Sequence, residues 1–176
     1  MKSAGLNTVA TYVFWEVHEY PRGQWNWEED YNLKEFVSLC QKHGMYVWLR
    51  IGPYCNAELL HGGLPEWIDS MKGKRTNNPD YLRETRKYYQ QVGKEVNGMF
   101  FKDGGPIIGI QVENEYASGQ PEHPDSLKQM ALDCGMNPVY FSLTANSVFH
   151  DKDFGFLPLQ GAYPYRGWEQ AGGDLS

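Results

Sequence analysis

The feature that most constrains this chain is a repeated alternation of short apolar runs with longer amphipathic ones. Residues 6–14 are rich in β-branched and aromatic side chains and follow Gly5, which predicts a strand. Over 29–43, apolar Leu33, Phe36, Val37 and Cys40 recur at three- and four-residue steps, and Gly44 follows as a stop, predicting a helix. Residues 45–51 read as a second strand, cut by Gly52-Pro53. A long loop, 52–77, carries Gly62-Gly63 and Pro65 before Asn78-Pro79 supplies an N-cap and a first-turn proline. The helix beyond places Leu82, Thr85, Tyr89, Val92, Val96 and Phe100 on one stripe, and Asp103-Gly104-Gly105-Pro106 breaks it. A third strand is expected at 107–112, then a helix at 125–134 with Leu127, Met130, Ala131 and Cys134 on one face and Gly135 as its cap. Fourth and fifth strands are expected at 139–143 and 157–163. Nearly continuous apolar strands alternating with helices specify a parallel sheet covered by helices. With no internal repeat or low-complexity linker, this is one α/β domain, open or barrel-like.

Composition narrows the partners. The chain has 176 residues with 16 Lys+Arg against 22 Asp+Glu, a balance that argues against a nucleic-acid partner, whose phosphates call for a basic face. A content of 41% apolar and 15% aromatic residues is too high for a disordered tail. No run reaches the roughly 18–20 apolar residues of a membrane span, and no basic-then-apolar leader opens the sequence. Cys40, Cys55 and Cys134 are odd in number and lack CxxC spacing, so neither a disulfide framework nor a cysteine zinc site is expected. Cys40 and Cys134 lie on apolar helical stripes and are expected in the core. The histidines are scattered, and no metal site is expected.

In parallel α/β folds the working residues gather at the carboxyl ends of the strands. The first strand runs into Trp15-Glu16-Val17-His18-Glu19, the second into Arg50 and then Tyr54-Cys55-Asn56-Ala57-Glu58, and the third into Gln111-Val112-Glu113-Asn114-Glu115-Tyr116. Strict alternation puts Ile108, Ile110 and Val112 on one face of the third strand and Gln111, Glu113 and Glu115 on the other. The bland alternative is a solvated strand-to-loop turn. Gly62-Gly63, Tyr54 and Trp67 suggest a loop shaped around a sugar, whose apolar faces stack on aromatics; the alternative is an irregular connection capping the barrel. Paired carboxylates within aromatic walls point to glycoside hydrolysis, in which one carboxyl protonates the leaving oxygen and a second attacks the anomeric carbon or activates water.

At these residues the chain resembles glycoside hydrolase family 35, the β-galactosidases. Residues 5–19 are similar to that family's second barrel strand, which usually reads Trp-Asn-x-His-Glu. Ile51-Gly52-Pro53-Tyr54-Cys55-Asn56-Ala57-Glu58, followed by Gly62-Gly63-Leu64-Pro65-x-Trp67, resembles the third strand and its loop. Gly104-Gly105-Pro106 through Glu113-Asn114-Glu115-Tyr116 resembles the fourth. The resemblance implies a (β/α)8 TIM barrel, of which residues 1–176 are a partial catalytic domain covering roughly strands 2 to 6; 176 residues fall below the roughly 250 of a whole barrel. It implies a retaining mechanism on terminal β-galactosyl groups of an oligosaccharide or glycoconjugate, without a cofactor, in a protein that is secreted, periplasmic or lysosomal. By the match, Glu115 is the general acid/base and Asn114 bonds the sugar near the reacting carbon. Tyr12, Asn56, Ala57 and Glu58 line the galactose pocket. Glu113 matches a position that is not catalytic. Glu16 replaces the usual Asn, and Leu59 stands where many members carry an aromatic. No residue matches the family's second glutamate, the nucleophile, so the 176 residues alone are expected to be inactive. A different retaining glycosidase of the same clan, or a non-catalytic carbohydrate-binding barrel, stand as alternatives.

Overall fold

The computed structural model describes residues 1–55, 58–116, 119–120 and 122–141. The expected fifth strand and the end of the fourth lie outside them. Within them, four strands form one sheet: β1 (Thr8–Tyr12), β2 (Tyr46–Gly52), β3 (Ile107–Val112) and β4 (Val139–Phe141). All three neighbouring pairs are parallel, and the strands lie side by side in chain order. A doubly wound sheet reverses its strand order at a switch point, whereas each strand of a barrel is laid beside its predecessor. The order here is the barrel's.

Among the described residues five α-helices accompany the sheet: α1 (Trp15–His18), α2 (Leu33–Lys42), α3 (Glu66–Asp69), α4 (Pro79–Glu95) and α5 (Glu122–Asp133). The Asn32 side chain caps α2 by accepting from the Glu35 amide, so the helix starts later than the periodicity suggests; Glu29 to Tyr31 form a separate 3₁₀ turn. Asn78 caps α4 by accepting from the amides of Asp80 and Tyr81, with Pro79 in the first turn. In β2 the odd residues Val47, Leu49 and Ile51 are fully buried against the helices. Tyr46, Trp48 and Arg50 alternate onto the opposite face. Ile110 and Val112 of β3 join the same core, with Val37, Val92, Leu127 and Ala131 from the helices. Phe36 departs from its predicted stripe and is exposed. No helix among the described residues is long and apolar enough to cross a membrane.

The α4 helix does more than cover the sheet. Tyr81, Tyr88 and Tyr89 are all fully buried. The Tyr88 hydroxyl donates to the Val13 carbonyl and the Tyr89 hydroxyl to the Gly52 carbonyl, each at 2.7 Å. Two consecutive residues of one helix thereby tie down the carboxyl ends of β1 and β2. The predicted stripe included Tyr89 but neither of the other two. Gly93 lets α4 approach α5 closely, since a Cβ there would collide with the Cys134 carbonyl.

Candidate active site

Parallel pairing sets Tyr12 of β1 beside Arg50 of β2, and Arg50 beside Gln111 of β3. These three form a row across the inner face at the carboxyl end of the sheet. The Arg50 guanidinium lies over the Tyr12 ring, 4.0 Å from its centroid, within cation–π range. Its Nε donates to Gln111 Oε1 at 3.1 Å and its Nη2 to Asn114 Oδ1 at 2.6 Å. The Gln111 amide donates in turn to Asn114 Oδ1 at 3.2 Å and to the Glu113 carbonyl at 3.0 Å. Asn114 is therefore oriented through its oxygen, which leaves its amide NH₂ as the end that can donate to a ligand.

Tyr12 registers the charges around it. Burial raises its pKa, Arg50 opposes that, and Cys55, Glu115 and Glu58 push it further up. Glu115 and Glu58 thus act on the same phenol from two different loops, and both are exposed. The structure brings together Tyr12, Glu58, Asn114 and Glu115 of the expected site; Asn56 and Ala57 lie outside the described residues. Arg50 was missed as a site residue, although a charged side chain inside an apolar strand is a signal in itself. Cys55 is buried, and burial above all pushes its thiol up to about 12, so it behaves as a core residue rather than a nucleophile.

Strand alternation fails just beyond Val112. Glu113 and Glu115 both have left-handed backbone, with φ of 58° and 44°. Such conformations cost about 1–3 kcal/mol each for a residue with a side chain and persist only where the surroundings impose them. Glu113 consequently does not share a face with Glu115, nor is it solvated. It is 1% exposed, and its Oε2 accepts from Arg75 Nε at 3.0 Å and Nη2 at 2.7 Å. Its Oε1 lies 3.7 Å from His123 Nε2. Glu115 is the carboxylate the turn leaves at the surface.

Other parts of the expected rim serve the fold. Glu19 is buried and accepts from the Trp15 indole and from the Gly23 amide. His18 stacks on Trp27 and its Nδ1 meets the Asn26 carbonyl at 3.0 Å. Both side chains are thus bonded within their own loop. Tyr54 is covered by the Arg75 guanidinium, 3.8 Å from its ring centroid, and a Cβ at Gly62 would run into its ring. Gly63 similarly accommodates Phe14. The glycine pair thus makes room for the protein's own aromatics rather than for a ligand. Trp67 sits edge-on to Trp15 beneath Arg22. It lines a separate cleft of about 720 Å³ with Glu16, Arg22 and His61. Burial raises the Glu16 pKa there, opposed by His61. Among the described residues no group of three or more His, Cys, Asp or Glu is arranged to hold a metal.

The chain is 44% identical over 123 residues to Beta-galactosidase 11 of Arabidopsis thaliana, covering 68% of this chain and 15% of that protein. It is 37% identical over 158 residues to Beta-galactosidase 13 of the same plant, covering 88% and 17%. To the Beta-galactosidase of Bos taurus it is 42% identical over 120 residues, covering 67% and 18%. The chain thus spans less than a fifth of the length of these relatives. Among solved structures, the exo-beta-1,4-mannosidase Op5Man5 from Opitutaceae bacterium strain TAV5 superposes with a TM-score of 0.67 at 16% identity, over 89% of this chain and 28% of that one. The GH5_18 structure from Streptomyces cattleya in complex with GlcNAc gives 0.62 at 14% identity, over 88% and 40%. At these identities the likeness shows the fold alone, a parallel α/β segment of the TIM-barrel type. The family model for the glycosyl hydrolases family 35 matches residues 1–162, and the chain belongs to that family.

Proposed function

We propose that residues 1–176 are part of the catalytic barrel of a retaining β-galactosidase, that β1 to β4 are its second to fifth strands, and that Glu115 is its general acid/base. The observation that carries this reading is the exposed Glu115 carboxylate at the end of β3, acting on the Tyr12 phenol together with Glu58 across the Arg50 row. Asn114, held by Arg50 and Gln111, would donate its amide to a sugar hydroxyl near the reacting carbon. Tyr12, Asn56, Ala57 and Glu58 would surround the rest of a terminal β-galactosyl group of an oligosaccharide or glycoconjugate. In a retaining reaction Glu115 protonates the departing glycosidic oxygen as a second carboxylate attacks the anomeric carbon. The same residue then draws a proton from the water that releases the sugar. The two carboxyls must lie about 5–5.5 Å apart, and the nucleophile is supplied from outside these 176 residues.

The test is Glu115→Gln in the complete protein, assayed against the parent with a galactoside whose leaving group is a poor one. Removing the acid is expected to lower turnover on the order of 10²–10⁴-fold. Unchanged turnover would overturn the assignment of Glu115. A parent that binds galactosides without cleaving them would favour a carbohydrate-binding barrel instead.

A further inference from the structure

The Glu113–Tyr116 turn is held from a loop that no catalytic motif includes. Arg75 lies in the connection between β2 and α4, itself at a left-handed φ of 55°. Its guanidinium grips the Glu113 carboxylate through Nε and Nη2, and the same Nη2 donates to the Asn114 carbonyl at 2.7 Å. Its own carbonyl accepts from the Tyr116 hydroxyl at 3.0 Å. Its flat face rests on the Tyr54 ring, with the Tyr116 ring 5.4 Å away. A single side chain therefore engages Glu113 and Asn114 before Glu115, while its backbone engages Tyr116 after it.

We infer that Arg75 is a positioning residue: it fixes the left-handed turn and thereby the aim of Glu115. This rests on the proposed role of Glu115 as acid/base. The contacts are specific to arginine. A planar guanidinium can fork onto a carboxylate, reach a neighbouring carbonyl and stack on a ring at once. A lysine would keep the positive charge opposite Glu113 while losing the fork and the stacking surface. Glu113 becomes intelligible as well, as the anchor that Arg75 grips.

An arginine that served only overall stability would lower the number of active molecules and depress every substrate alike. A positioning arginine acts on protonation. The discriminating quantity is kcat/KM, which reports the steps up to glycosidic cleavage, measured on two galactosides. One has an activated aryl leaving group that departs without a proton. The other has a sugar leaving group that needs one. In the complete protein, Arg75→Lys is expected to lower kcat/KM for the second about a hundredfold, the scale of an ångström's misplacement. The first should change far less. Equal losses on both substrates would overturn the inference. Hydrogen exchange supplies a readout that does not depend on turnover. In Arg75→Met the peptide spanning 113–116 should exchange at least about tenfold faster, with the β2 peptide unchanged; exchange equal to the parent's would also overturn it. Failure of the Glu115→Gln assay would instead strike the functional reading, and the exchange result would still decide whether Arg75 holds the turn.

Discussion

The ends of β1 and β3 look alike as sequence, each an aromatic-flanked stretch with two glutamates, and they use their acids in opposite ways. After β1, Glu19 reaches only four residues either way, to Trp15 and Gly23, and closes its own loop. After β3, Glu113 reaches Arg75 across 38 positions and lies beside His123 of α5. Glu19 is a local staple, whereas Glu113 braces three elements against one another. Only the β3 end then turns a second carboxylate, Glu115, outward beside the Tyr12 row. A cluster of acids at a strand end thus becomes a candidate reaction centre when one member is anchored by a distant cation and the other is left exposed.

Four measurements test that contrast. The largest effect is expected from Glu113→Ala, which leaves the Arg75 charge without its buried partner; the unfolding free energy should fall by about 3–5 kcal/mol in denaturant titrations. A loss below about 1 kcal/mol would reduce the brace to an incidental pair. Glu19→Ala removes a charged acceptor from a buried indole N–H and a loop amide, and about 1.5–3 kcal/mol is expected from the same titration. Its effect on hydrogen exchange should stay within residues 15–26, and spread to β3 would erase the distinction between staple and brace.

A smaller effect concerns pH. Burial lowers the His18 pKa from its ordinary 6.5, partly offset by the Asn26 carbonyl. As pH falls below 6.5, the unfolded chain takes up a proton that the folded chain refuses, so stability decreases until the folded-state pKa is reached. Replacing His18 with Phe should flatten that slope as pH falls below about 7. The smallest expected effect is on the stability of Glu115→Gln, within about 0.5 kcal/mol of the parent. The same substitution is the one expected to cost the most activity.

The first three strands, the Asn78 cap and the parallel pairing were legible because each depends on local chemistry: β-branched runs, Asn78-Pro79 before α4, and glycines after α2 and α5; the Asn32 cap was not, because periodicity alone carried that helix back to residue 29. The alternation of β3 was legible as far as Val112. It could not be carried to Glu113 and Glu115, because left-handed backbone there resets the direction of each side chain. That backbone is held by Arg75, a residue with no periodic or motif relation to the strand. Tyr54 and Trp67 left two readings open for a related reason. A sequence shows that an aromatic face exists, but only the packing shows that Arg75 covers Tyr54, while Trp67, packed on Trp15 and Arg22, still borders a cleft. The family resemblance, by contrast, rests on three long motifs in order, and its identification survives such local errors.

The pair of tyrosine hydroxyls on α4 has a consequence for how this surface can diversify. Tyr88 and Tyr89 hold the ends of β1 and β2 from behind, at Val13 and Gly52, and Gly52 also receives the Glu113 amide. The height of Tyr12 and Arg50 is therefore set on the side of the sheet away from any ligand. The loops above can lengthen, shorten or exchange residues while the platform beneath stays level. Selection can retune what the mouth of the barrel accepts without rebuilding its floor.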